Sequence, residues 1–218
     1  MRPSRPPAPA PRSPEIFVAR LQDRLVILDL AGGQYLSLHD PQAHVSAGPK
    51  GELTSAAIDL STALSDAGLL ERPAILSTAR APRPDGGFDQ TWAAVPKIGI
   101  SDVAAFVAAL AWTALEIQRP LRRLTRVPSS PPSHVDACEM QRQVDVYCRL
   151  LVWSPWQGEC LFRSRLLLRF LQHKGVTAGW TFGVRGWPFR AHCWVEGERG
   201  PVNEAWDKLA AFHVLATF

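Results

Sequence analysis

Apolar and polar positions in residues 16–38 fall into short runs of strand character. "IFVARL" and "RLVILDL" are rich in β-forming residues and are separated by Gln22-Asp23. "AGG" at 31–33 is a turn signal, and "QYLSL" at 34–38 alternates polar with apolar residues. In "ELTSAAIDLSTALSDAGLL" (52–70) the apolar positions move to helical spacing, with Gly68 as a C-terminal stop. The pattern predicts a β-β-β-α unit over residues 15–73, which on its own would bury a marginal core.

Two helices are predicted next. "SDVAAFVAALAWTALEIQ" (101–118) opens on Ser101 or Asp102 as cap, closes before Pro120 and is apolar nearly all round, so it is expected to be buried. "SHVDACEMQRQVDVYCRLLVW" (133–153) has the mixture of a half-buried helix, with Cys138 and Cys148 as core thiols. "ECLFRSRLLLRFLQHKG" (159–175) reads as a central helix from about Cys160 to His173, stopped by Gly175. "TAGWTFGV", a turn, "RAHCWVEG" and "PVNEAW" then read as antiparallel strands. Helices followed by such strands give an α+β class for residues 96–218.

Composition refines the division. The chain has 218 residues, 46% hydrophobic and 20% charged, as expected of one compact domain plus a small one. Of its 19 prolines, 11 lie in "MRPSRPPAPAPRSP", "APRPDGG" and "VPSSPPS". These segments bury little, so residues 1–14 are expected to be a disordered tail and 74–95 a linker. The net charge of +4 is local: Arg2, Arg5 and Arg12 lie in the tail, and Arg119, Arg122, Arg123 and Arg126 in "RPLRRLTR". Setting those seven apart leaves 17 basic residues against 20 acidic ones, which argues against a nucleic-acid partner. The four cysteines form no CxxC pair and no zinc-type spacing, so no metal is expected. The start lacks a signal peptide's apolar run. The longest apolar stretch, Val103–Ile117, is shorter than the ~20 residues of a spanning helix. A cytoplasmic protein with reduced thiols is expected, with no membrane span.

A thiol at the start of a buried helix is the candidate chemistry. Free N–H groups and the positive dipole end there favour a thiolate at Cys160. His192, on a strand packed against that helix, is the candidate base; alternation puts it on Trp194's face, with Cys193 on the opposite one. Asn203 or Glu204 could hold the imidazole's orientation, and Glu204 would also stabilise its cation. The bland alternative is strong: a cysteine heading an apolar helix is most often a small buried hydrophobe. Cys193 is a rival nucleophile, though its strand position lacks the helix dipole.

"CLFRSRLLLRFLQHKGVTAGWTFGVRGWPFRAHCWVEGERGPVNE" (160–204) resembles the transglutaminase-like domain of the lasso-peptide biosynthesis B proteins. In outline that family reads C-L-x-R-S, a leucine-rich helix, G-V-R, P-F-x-A-H-x-W-V-E, and V-N-D. Here Cys160-Leu161, Arg163-Ser164, Gly183-Val184-Arg185, Pro188-Phe189, Ala191-His192, Trp194-Val195-Glu196 and Val202-Asn203 supply those positions. The resemblance implies a papain-like cysteine peptidase that removes the leader of a lasso-peptide precursor, so that an asparagine-synthetase-like cyclase can close the macrolactam. It implies Cys160 as nucleophile, His192 as base and Glu204 where the family usually has aspartate, with Asn203 as the alternative. Gln157 is a candidate oxyanion donor. No GxxxxGK[ST] is present, so no cofactor is expected on this chain, and ATP would belong to the partner cyclase.

"VILDLAGGQYLSLHD" (26–40) is similar to the family's precursor-recognition unit, which is winged-helix-like. The resemblance implies that the leader adds as a strand beside Gln34, Tyr35, Leu36, Ser37 and Leu38. Two other functions stay open: a non-catalytic scaffold that presents the precursor to a partner enzyme, and an acyl transferase using an amine instead of water.

Overall fold

The computed structural model describes residues 15–40, 42, 44–47, 53–70, 73–77, 96–125, 137–154, 158–186 and 188–218. The expected tail (1–14), residues 78–95 of the expected linker, and Gln157 lie outside them.

The first sheet grows from two tight turns. β1 (Ile16–Leu21) pairs antiparallel with β2 (Arg24–Asp29) across Gln22, whose φ is 48°. β2 pairs antiparallel with β3 (Gln34–His39) after Gly33 at φ 65°, a conformation glycine adopts without a Cβ penalty. A short antiparallel pair, β4 (Val45–Ala47) and β5 (Leu53–Ser55), leads into α1 (Ile58–Asp66). Gly68, at φ 64°, follows α1 as the sequence pattern predicts. β6 (Ala74–Ser77) returns parallel to β1 and completes the order β3-β2-β1-β6. The sheet therefore takes in a segment that proline content assigns to the linker.

Period-two alternation gives this sheet two apolar faces. Ile16, Val18, Leu25 and Ile27 pack with Leu64 of α1. Phe17, Ala19, Leu21, Val26 and Leu28 belong to the main core, with residues from the rest of the chain. Phe17 meets Phe218 edge-on, ring centroids 5.4 Å apart. The unit is thus half of a shared core.

α2 (Ile100–Glu116) starts one residue before the expected caps: Gly99 is the N-cap, and its N–H donates to Asp102 Oδ2 at 2.8 Å. The expectation of a helix buried all round is corrected. Asp102, Phe106, Ala109, Thr113 and Glu116 face inward, while Ile100, Val103, Val107, Trp112 and Leu115 are exposed. The two acids sit inside because they are paired: Asp102 accepts from Lys174 Nζ at 2.7 Å, and Glu116 accepts from Arg165 at 2.9 Å and from Arg169. After α3 (Leu121–Leu124), α4 (Ala137–Leu151) turns Met140, Val144, Tyr147 and Leu151 to the core. Cys138 is exposed, not a core thiol, and Cys148 is half-buried. Ten residues leave the two thiols about 80° apart around the helix, so Cys148 reaches the buried face while Cys138 stays beyond its edge.

α5 (Cys160–His173) spans the residues its pattern predicts and buries Phe162, Leu166, Leu167, Phe170 and Leu171. β7 (Gly179–Arg185) and β8 (Arg190–Gly197) form the hairpin beside it. The strand expected over "PVNEAW" shrinks to β9 (Gly200–Pro201); Asn203 and Glu204 lie in a bend before α6 (Trp206–Leu209). β10 (His213–Thr217), not foreseen from the pattern, closes the second sheet in the order β10-β7-β8-β9. Gly183 is required where Trp194 crosses β7: a Cβ there would lie 2.7 Å from the indole Cη2.

Candidate active site

Cys160 is the first residue of α5, after an N-cap, Glu159, that makes no side-chain capping bond. The first-turn amide groups and the helix dipole therefore stay directed at the sulfur's end of the helix. Gly158 makes that entry possible. Its φ is 39°, and a Cβ would fall 2.5 Å from Phe162 Cδ1.

β8 supplies the partners. β9 covers β8 at Glu196 and Gly197, so around His192 the strand's outer edge is open among the described strands. The start of α5 meets that edge and brings Cys160 beside Cys193 and His192, whose interactions act on the thiol. They hold the Cys160 thiol far below its ordinary pKa, against the opposing effect of burial. His192 Nε2 lies 3.4 Å from Glu204 Oε1, which leaves Nδ1 for the sulfur. The hydrogen bonds to Cys160 and then Glu204 raise the imidazole pKa to about 9, again against burial. In return His192 holds the Glu204 carboxyl below its usual range. At neutral pH the three groups form a thiolate, an imidazolium and a carboxylate. His192 is 24% and Glu204 22% exposed, so the row opens to solvent along one side.

Each candidate from the sequence now has a place. Cys160, His192 and Glu204 come together. Asn203 does not join them: its Oδ1 accepts the Val195 N–H at 2.8 Å and ties the bend to β8. Gln157 lies outside the described residues. Cys193 does face away from His192, with Val195 in the main core, yet it acts on the same thiol. His192 stacks on Trp194 at 6.2 Å and packs on Phe212 at 5.8 Å, which fixes the ring plane.

The candidate leader strand lies alongside. β3 is the edge of the first sheet. Asp40 N–H donates to Asp23 C=O, so by alternation Leu36 and Leu38 turn their backbone groups to β2, while Tyr35, Ser37 and His39 turn theirs outward. Leu36 and Leu38 pack against the α1 core, whereas Tyr35 packs on the main core and meets Phe189 edge-on at 6.3 Å. Burial, then the charges of Cys193 and Cys160, raise the Tyr35 phenol pKa, which puts this residue beside the thiols. A cleft of about 670 Å³ is lined from both sheets, by Val26, Ser37, Gly186, Phe189 and His213 among others. Sequence reasoning missed the contact of Tyr35 with Phe189, because it depends on how the two sheets pack. No cluster of metal-ligating side chains occurs among the described residues.

A helix-borne thiol, a strand-borne histidine and a carboxylate thus lie near one another on an α+β fold. Residues 102–217 match the model of the transglutaminase-like superfamily, and the chain belongs to that superfamily. Comparison with curated proteins and with solved structures gave no match. No helix among the described residues is long and apolar enough to cross a membrane.

Proposed function

We propose that this chain is a cysteine peptidase that removes the leader of a lasso-peptide precursor and hands the trimmed core to a macrolactam cyclase of asparagine-synthetase type. The observation that carries the peptidase reading is the row Cys160–His192–Glu204, with the thiol on the first residue of α5. The lasso assignment rests on the sequence resemblance over residues 160–204.

The Cys160 thiolate attacks the scissile carbonyl carbon. The carbonyl electrons move to oxygen, where the α5 amide groups stabilise the negative charge. The tetrahedral adduct collapses as His192 gives its proton to the departing amine, leaving a thioester between leader and Cys160. His192, now neutral, takes a proton from water as that water attacks the thioester. The leader leaves with a free carboxylate and Cys160 returns as thiolate. Glu204 keeps Nε2–H in place and offsets the ring's charge throughout.

The leader adds to the outer edge of β3, using the outward groups of Tyr35, Ser37 and His39. That edge runs toward Phe189 and the thiol, so an added strand delivers its continuation to Cys160. The winged-helix-like reading of this unit rests on its strands followed by α1. The chain works inside the cell on this reading, and ATP is consumed by the cyclase.

The test is mass analysis of a lasso precursor incubated with the chain, alone and with its cyclase and ATP. The expected products are a leader ending in a free carboxylate and a core with a new N-terminal amine. A precursor that binds but stays uncut under both conditions would make the chain a scaffold. A leader joined to an added amine would make it a transferase.

A further inference from the structure

Ser164 is a polar side chain on the buried face of α5 that the mechanism above does not use; it is 0% exposed. A hydroxyl has one proton and two lone pairs, and all three are engaged here. The proton goes to the Cys160 carbonyl at 2.7 Å, with the Leu161 carbonyl at 3.3 Å. One lone pair accepts the Trp180 Nε1–H at 2.8 Å. The other faces Cys193 Sγ at 3.3 Å, and with the hydroxyl proton committed it is the S–H that donates. The partners stand on three elements: Cys160 opens α5, Trp180 is on β7, and Cys193 follows His192 on β8. β7 and β8 pair directly here, Phe182 with Cys193 and Gly183 with His192. One hydroxyl therefore ties the peptide that carries the thiol to the hairpin that carries the histidine.

Packing alone does not call for this residue. Alanine would fill most of the same space without burying a hydroxyl, which costs free energy unless it is bonded. Nor does an indole's need of a partner: Trp194, as deeply buried as Trp180, makes no hydrogen bond at Nε1 among the described residues. The far end of the junction is itself fixed, since Arg165, paired with Glu116, lies over the Trp180 ring at 5.5 Å from its centroid. We propose that Ser164 is a positioning residue whose hydroxyl, bonded to the Cys160 peptide, Trp180 and Cys193, sets the separation of the Cys160 thiol from His192; the role rests on those two being the catalytic pair. The titratable groups acting on Cys160 are Cys193 and His192 of β8; Tyr35 of β3 feels its charge, and Glu204 acts through His192. Replacing Ser164 leaves all of them in the chain, so a change in the thiol's titration reports how they are placed. Cys193 and then His192 lower the thiol's pKa against burial, so a looser junction raises it.

The test is the pH dependence of iodoacetamide alkylation at Cys160, located by peptide mass mapping on the full-length chain, for wild type, Ser164→Ala and Tyr147→Phe. Ser164→Ala should move the acid limb of the profile upward by about half a pH unit or more, so that alkylation on that limb falls about threefold or more. Tyr147→Phe is the control for a merely structural loss. It removes another hydrogen bond to α5, from the Tyr147 hydroxyl of α4 to the Arg163 carbonyl at 2.7 Å, without touching the junction. Its acid limb should stay within about 0.2 pH units of wild type even where its thermal melt falls. An unmoved acid limb in folded Ser164→Ala overturns the proposal, and so does a Tyr147→Phe limb that moves as far. If melts show that Ser164→Ala is not folded, Trp180→Phe, which opens the junction at β7, carries the same expectation. An unmoved limb removes the positioning role alone; precursor cut by Cys160→Ala would remove the catalytic pair, and the role with it.

Discussion

His192 is held from both sides by negative charge, and that sets how the site should respond to pH and to substitution. With its pKa near 9, the imidazolium persists through neutral pH. Cleavage needs that proton for the leaving amine, so kcat/KM should fall as pH rises through about 9, and should fall in acid as Cys160 is protonated. Glu204→Gln removes the counter-charge while keeping the size. A serine-triad aspartate-to-asparagine change costs about 10⁴-fold, and a site that starts from a thiolate should lose less, about 10–10³-fold in kcat. Its alkaline limb should also move down, since Glu204 helps hold the His192 proton. Glu204→Asp should keep more activity, because the charge survives. Asn203→Ala should leave the alkaline limb in place and act through stability, having lost the Val195 hydrogen bond. A pH–rate series across the three variants checks this; an unmoved alkaline limb in Glu204→Gln with a displaced one in Asn203→Ala would reverse the roles. The row itself was legible in the sequence, through the helix start, the A-H-x-W-V-E strand and the following acid. The nearness of Cys193 was not, because strand alternation puts it on the face opposite His192.

Element by element, long periodic segments were legible and paired edges were not. α5 runs from Cys160 to His173, as the leucine spacing and Gly175 indicate. β10 and β6 were missed because a four- or five-residue run carries little periodic signal until a neighbour pairs with it. α2 misled through composition. Its alanines and valines suggest burial all round, but two ion pairs on one face decide which side goes inward. β3 carries the element-scale prediction. Tyr35 packs on the main core and so is a poor probe of strand addition, whereas Ser37 is exposed and turns its N–H outward. Ser37→Pro should remove that donor and weaken binding of a labelled leader about tenfold, leaving alkylation of Cys160 unchanged. Equal leader affinity by fluorescence titration would remove strand addition at β3.

At the scale of the molecule, strands β1–β3 and the transglutaminase-like part share one core. Phe17, Val26 and Leu28 lie in the same cluster as Leu167, Phe182 and Val195, and Phe218 closes on Phe17. The sequence presents the first unit as small and marginal because its second apolar face has no partner within residues 15–73; the partner is a strand at the other end of the chain. That packing brings Tyr35 of β3 against Phe189 of the second part, so on the proposed function recognition and cleavage would share one surface. The account stands or falls on the thiol at the head of α5. The most direct measurement is cleavage of a lasso precursor by wild type, Cys160→Ala and Cys193→Ala, followed by mass spectrometry with the cyclase and ATP present. Cys160→Ala should release no leader while still binding precursor, and Cys193→Ala, as the rival-nucleophile control, should still release it. Leader release by Cys160→Ala at the wild-type rate would contradict the account.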